Sequence, residues 1–105
     1  MIHHPYVHYQ QLFYGKGKKD YVSDGDELKV NETGNAGMTK GGTGDVLAGL
    51  TAALVCTNDP FLAARAAVFL NGLAGDRLKE KMSYYYHASD LVEVIPKVIK
   101  RCYDF

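Results

Sequence analysis

The chain has 105 residues, 47% of them apolar, and twelve basic residues balance twelve acidic ones for a formal net charge of zero. That length suits one compact domain with one core, and the apolar content excludes a disordered tail. Neither sign forms a long block, so no broad field draws a nucleic acid or an anionic membrane; neither is expected as a partner, and any phosphate site must be local. Met1 to Gln11 is crowded with His and Tyr and shows no clear period. It reads as an edge strand or as an unstructured extension, and it lacks the basic stretch and apolar core of a signal peptide. His3, His4 and His8 include an i, i+4 pair that would suit a metal on a helix, but Pro5 and the poor helical pattern argue against one, so no metal site is expected.

Leu12 to Tyr14 reads as a short strand that stops at Gly15. Asp20 to Ser23 and Glu27 to Val30 alternate around Asp24-Gly25-Asp26, which is a hairpin signal. Thr33 to Gly44 holds five glycines in twelve residues, too many for a regular element. A long glycine-rich loop in a small domain binds something or moves. From Asp45 the pattern changes. Val46, Leu47, Leu50, Ala53 and Leu54 recur at helical spacing and predict a helix over 45–56, too short to span a bilayer. Asp59 and Pro60 form a restart signal for a second helix over 61–81, expected to be almost wholly buried in its first half. Ser83 to His87 is a loop with three tyrosines, read as solvent-facing, as a core plug or as a stacking platform. Ser89 or Asp90 can cap a third helix, which Pro96 should break or kink unless the helix restarts there. Cys56 and Cys102 belong to no CxxC pattern; they allow one disulfide but fit better as two unpaired, half-buried thiols in a cytoplasmic protein.

Chemistry concentrates at Gly41-Gly42-Thr43-Gly44-Asp45, immediately before the first helix. Glycines turn backbone N–H groups toward one point, and the first amides of a helix have no internal partners, so the two make an anion cradle. A carboxylate beside such a cradle can take a proton from an attacking hydroxyl. The same pattern also fits an Asp that caps the helix after a tight turn. It is neither a Walker A loop, since Lys40 is followed by glycines, nor a dinucleotide fingerprint, since Leu47 stands where the third glycine belongs. Lys40 is either a phosphate ligand or a solvated charge. Asp76 is either a support for the site or an exposed acid at a helix end.

The run Thr33-Gly34-Asn35-Ala36-Gly37-Met38-Thr39-Lys40-Gly41-Gly42-Thr43-Gly44-Asp45-Val46-Leu47-Ala48-Gly49 resembles the signature of the NAD(P)H-hydrate dehydratases, in the ribokinase-like superfamily. Phe69 to Asp76, Ala88 to Leu91 and Ile95 to Val98 are similar to later segments of that family. Gly15 to Asp20 resembles its strand-end Lys-Gly segment. The likeness covers about Leu12 to Ile99. Small-alcohol kinases of the superfamily share the carboxylate but not the stretch from Thr33 to Lys40.

The resemblance implies an α/β fold: the C-terminal portion of a ribokinase-like fold, with short strands and a hairpin, a Gly-rich loop and three helices. It divides the chain into residues 1–11, an extension unlike the family, and residues 12–105, a partial domain. It implies that Asp45 is the catalytic base and, with Asn35, contacts the substrate. Gly42, Thr43 and Gly44 would form the anion hole. Lys16, Gly17, Lys18, Lys19, Asp20 and Gly44 would contact the nucleotide. The family reaction moves a phosphoryl group from ADP or ATP, with Mg2+, to the hydroxyl of NADHX or NADPHX, and loss of phosphate restores NADH or NADPH. The family domain is longer than this chain, and its N-terminal part supplies most of the sheet and much of the pocket. A homo-oligomer or a partner fragment is therefore expected. The alternative is a non-catalytic nucleotide- or phosphate-binding remnant that needs a second chain.

Overall fold

In a computed structural model of the chain, residues 3–4, 7–14, 17–35, 38 and 42–103 are described. Among the described residues four strands, β1 (His3–His4), β2 (Val7–Tyr14), β3 (Gly17–Ser23) and β4 (Leu28–Asn31), precede three helices, α1 (Thr43–Val55), α2 (Pro60–Met82) and α3 (Ala88–Tyr103). The strands form an antiparallel sheet in the order β1-β2-β3-β4. This mixed α/β arrangement is the expected class.

The hairpin forms where Asp24-Gly25-Asp26 predicts it, with Ser23 opposite Leu28 and Asp20 opposite Asn31. Its turn is closed by local chemistry. Asp24 Oδ1 accepts the Asp26 and Glu27 amides at 2.9 and 2.7 Å, and Gly25 takes the left-handed φ of 98° that a side chain would oppose. Those amides hold the Asp24 carboxyl below its ordinary value.

The second strand is longer than its apolar run suggests. β2 begins at Val7, not Leu12, and it is an interior strand that pairs with β3 from His8 to Tyr14. Burial of Val7 and Tyr9 alternates with exposure of His8 and Gln10, a period of two that the clustered His and Tyr residues obscure. His8 lies opposite His3 in a strand pair, so the helical spacing that would join His4 and His8 on one face does not arise.

Val7, Tyr9 and Val22 of the sheet pack on Leu47 of α1 and on Phe61, Ala64, Ala67 and Val68 of α2. A second cluster joins Leu70, Ala74 and Leu78 of α2 to Leu91, Ile95 and Val98 of α3, with Met38 and Tyr86 filling it. Each large side chain so buried contributes about 1.5–3 kcal/mol. Asp59 caps α2 by accepting the Leu62 amide at 3.1 Å, as its place before Pro60 predicts. The first half of α2 is not wholly buried, however: Leu62 and Phe69 are 48% and 44% exposed. They line an open groove of about 320 Å³ against Val22, Lys29, Val30 and Asn31. α3 runs unbroken through Pro96. Asp90 caps it from within its first turn by accepting the His87 amide at 2.7 Å. The cysteines are free, and both are exposed rather than half-buried. Among the described residues no helix is long and apolar enough to cross a membrane.

Candidate functional site

The segment between β4 and α1 is held to α2 at three points. At its base, Asn31 Nδ2 donates to Asp20 Oδ2 and to Thr33 Oγ1, both at 2.9 Å, and the Thr33 hydroxyl donates to the Phe69 carbonyl at 3.1 Å. One step on, the Asp76 carboxylate accepts the Gly34 amide at 2.9 Å and Asn35 Nδ2 at 3.1 Å. Asn35 Oδ1 accepts the Tyr86 hydroxyl at 2.8 Å. Farther along, Met38 donates its amide to the Asn35 carbonyl at 3.1 Å and buries its side chain beneath α2.

Two glycines of α2 make that contact possible. A Cβ on Gly72 would fall on the Thr33 hydroxyl and lie 2.7 Å from its carbonyl carbon. A Cβ on Gly75 would strike the Met38 sulfur. Glycine inside a helix costs about 0.5–1 kcal/mol against alanine, and here the cost admits the loop. Asp76 therefore stands mid-helix and half-buried, not at an exposed helix end, and its partners explain its place beside the glycines.

The loop turns into α1 at Gly42, whose φ of 88° is left-handed and whose missing Cβ would come within 3.0 Å of Ala88 Cβ. Thr43 is buried and donates its hydroxyl to the Met38 carbonyl at 2.6 Å. The first intrahelical bond runs from the Val46 amide to the Gly42 carbonyl at 3.1 Å. The helix thus starts at Thr43, two positions before the expected Asp45. The amides of Thr43, Gly44 and Asp45 belong to the first turn, whose N–H groups have no partner within the helix and attract anions. Asp45 is exposed in that turn, and no side-chain hydrogen bond caps the helix. Gly42, not Asp45, is the N-cap, and Asp45 stands in the first turn, where its charge also complements the helix dipole.

The structure thus groups Gly42, Thr43, Gly44 and Asp45 at one helix end and ties Asn35 to them through Met38. Asn35 is 2% exposed, with its side chain between Asp76 and Tyr86. Asp20 is fully buried; Tyr9 donates to its Oδ1 at 2.7 Å and Asn31 to its Oδ2. Burial, with the Asp20 carboxylate beside it, drives the Tyr9 phenol far above its ordinary value. Lys19 is half-buried, 3.6 Å from Glu32. Gly17 and Lys18 begin β3 opposite Tyr14 and Phe13. Lys16, Lys40 and Gly41 lie outside the described residues.

Sequence reasoning does not find the tie between Asn35 and Tyr86. Tyr86 is the core plug among the three tyrosines, fully buried, while Tyr85 is 81% exposed and Tyr84 lies under the Lys79 ammonium at 5.0 Å. Among the described residues no cluster of three or more His, Cys, Asp or Glu side chains could hold a metal.

A carbohydrate-kinase-type family described as NAD(P)H-hydrate dehydratase matches residues 5–97 of the chain. The bifunctional NAD(P)H-hydrate repair enzyme Nnr of Archaeoglobus fulgidus is 59% identical over 90 residues, 86% of this chain and 19% of that one. Its counterpart in Methanocaldococcus jannaschii is 55% identical over 85 residues, 81% of this chain and 17% of that one. The ADP-dependent (S)-NAD(P)H-hydrate dehydratase of Cenarchaeum symbiosum is 43% identical over 86 residues, 81% of this chain and 30% of that one. The chain therefore spans less than a third of the length of these relatives.

Proposed function

The chain belongs to the NAD(P)H-hydrate dehydratase family, and from that premise we propose that it takes part in nucleotide-dependent repair of NADHX or NADPHX to NADH or NADPH. The observation that carries the reading is the start of α1. A left-handed glycine presents first-turn amides, and an uncapped carboxylate stands exposed among them.

In this reading the amides of Thr43 and Gly44 receive the phosphoryl oxygens as charge shifts onto them. Asp45 accepts the proton of the substrate hydroxyl while that oxygen bonds to phosphorus and the bond to the nucleotide breaks. Loss of the new phosphate group restores the reduced dinucleotide. In this scheme Asn35 and Asp20, both buried and held within the fold, position the loop and β3 behind the site, while Lys16 to Lys19 border the nucleotide. The donor is ADP, as in the relatives named for it, with ATP the alternative. The described residues around α1 offer one exposed carboxylate, which does not make a cage for magnesium. That ion fits only as a companion of the nucleotide phosphates, and no step depends on it here. Two free, exposed thiols suit a reducing, cytoplasmic setting.

A second reading rests on length. A chain spanning less than a third of its relatives can bind nucleotide without turning over, or act once a second copy or a partner fragment completes the pocket. Conversion of NADPHX by the 105-residue chain with ADP, measured beside Asp45→Asn, tests the first reading; equal rates in the two proteins would remove Asp45 from the role of base. Calorimetric titration with ADP and AMP tests the second, which does not survive an absence of binding at millimolar ligand.

A further inference from the structure

A second charged feature lies between α2 and α3. Arg77 and Lys81 stand one turn apart on α2, and Lys97 and Arg101 one turn apart on α3. All four line a groove of about 160 Å³ whose apolar lining is Leu78 and Val94. Among the described residues none of the four side chains makes an ion pair or a hydrogen bond. The neighbouring acids among the described residues do not neutralise them. Glu80 and Glu93 are exposed and pair with none of the four, and Asp76 is held by Gly34 and Asn35. Arg77 and Arg101 also border a neighbouring hollow that includes Asp76 and Glu80.

Basic residues near helix C-termini are common because they oppose the helix dipole, an effect confined to the last turn. That accounts for Lys81 and Arg101, which lie in the last turns of α2 and α3. It does not account for Arg77 and Lys97, each at least a turn farther in. Like charges at i, i+4 repel within each helix, and the packing of α2 on α3 brings two such pairs together. In a chain with no net charge this convergence is local.

We propose that this groove is a binding site for a small, multiply charged phosphate anion, separate from the start of α1. Two arginines supply planar forks for bidentate contact with phosphoryl oxygens, and two lysines supply mobile point charges around them. The volume is well below the roughly 300–1,000 Å³ of pockets for drug-sized ligands. It suits a diphosphate group rather than a dinucleotide. Leu78 and Val94 give an apolar surface on which the carbon part of a phosphate ester can rest. The site is independent of the repair reading and stands if that reading fails.

The test is calorimetric titration of the 105-residue chain with inorganic pyrophosphate at low ionic strength, with Lys81→Gln/Lys97→Gln and, as a control far from both sites, Lys29→Gln alongside. Saturable binding at the groove is expected, weakened about tenfold or more in the double variant and unchanged in Lys29→Gln. Circular dichroism melting shows whether the double variant keeps its fold. Should it not, amide shifts of the unmodified chain decide. Perturbations across 77–81 and 94–101 support the groove, and perturbations confined to 42–45 overturn it. Absence of saturable binding at millimolar pyrophosphate also overturns the proposal, as does saturation by an acidic peptide where pyrophosphate fails.

Discussion

Tyr86 and Asn35, 51 positions apart in sequence, meet in a buried hydrogen bond of 2.8 Å in which the phenol donates to the amide oxygen. Asn35 passes its own amide hydrogen to Asp76, so the segment before α3, the glycine-rich loop and the middle of α2 converge on one side chain. Tyr86→Phe keeps the ring in the second core cluster and removes the donor. It should destabilise the chain by about 1–3 kcal/mol, the range for leaving a buried acceptor without its partner. Urea denaturation measures this, and an unchanged midpoint would mean that the loop does not depend on the bond.

Burial of the same phenol sets an alkaline limit. Burial, opposed by the Asn35 side chain and helped by the Asp76 carboxylate, pushes the Tyr86 phenol from 10.0 up to about 12. A phenol that ionises later in the folded chain than in the unfolded one gives stability that is complete below pH 10 and is lost as pH rises toward 12. Tyr9, also raised, contributes to the loss from the same pH 10 and goes on contributing beyond the Tyr86 window. Thermal melts across pH 9 to about 12 should fall steeply for the wild type and less steeply for Tyr86→Phe. Parallel curves would assign the transition to another group.

Where local chemistry decides a feature, the sequence displays it. Asp24-Gly25 makes its turn from its own side chain and its own φ, and Asp59-Pro60 starts α2 with nothing borrowed from elsewhere. The glycine-rich run before Asp45 stands out in the sequence for the same reason, although the helix takes in Thr43 and Gly44 of it. What stays hidden depends on partners far along the chain. β2 draws its length from pairing with β3, and no pattern within Met1 to Gln11 reveals that. Asp76 reads equally as a support for the site or as a helix-end acid, because the partners that decide lie 42 and 41 positions away. Tyr86 cannot be told from Tyr84 and Tyr85 without knowing which of the three faces Asn35.

The glycines of the helices separate packing from propensity. A Cβ on Gly49 would meet nothing within 4 Å, so Gly49→Ala should stabilise the chain by about 0.5–1 kcal/mol, the helix preference alone. Gly72→Ala carries the same preference, yet its methyl would overlap Thr33, including the backbone. It should destabilise by about 1–3 kcal/mol. Gly75→Ala meets the flexible Met38 side chain instead and should fall between the two. Thermal denaturation of the three variants gives the order, and a stabilising Gly72→Ala would show that the loop does not lie on α2 as described.

Asp76 is the residue through which α2 positions the loop, and its two hydrogen bonds predict separable effects. Asp76→Ala leaves the Gly34 amide and Asn35 Nδ2 without their acceptor and should cost about 1–3 kcal/mol. Asp76→Asn retains one oxygen for the Gly34 amide but turns an N–H2 group toward the amide of Asn35. Rotation of the new side chain cannot satisfy both donors, so a smaller loss is expected with one of the two bonds broken. Hydrogen exchange distinguishes this from general weakening. The Gly34 amide should exchange faster in Asp76→Ala by a larger factor than amides in the middle of α1, which rest on Leu47 and the first core cluster. Uniform acceleration over α1 and Gly34 would mean that Asp76 supports the fold as a whole. Selective acceleration at Gly34 would identify it as the anchor that fixes where the loop enters α1, and so where Asp45 stands.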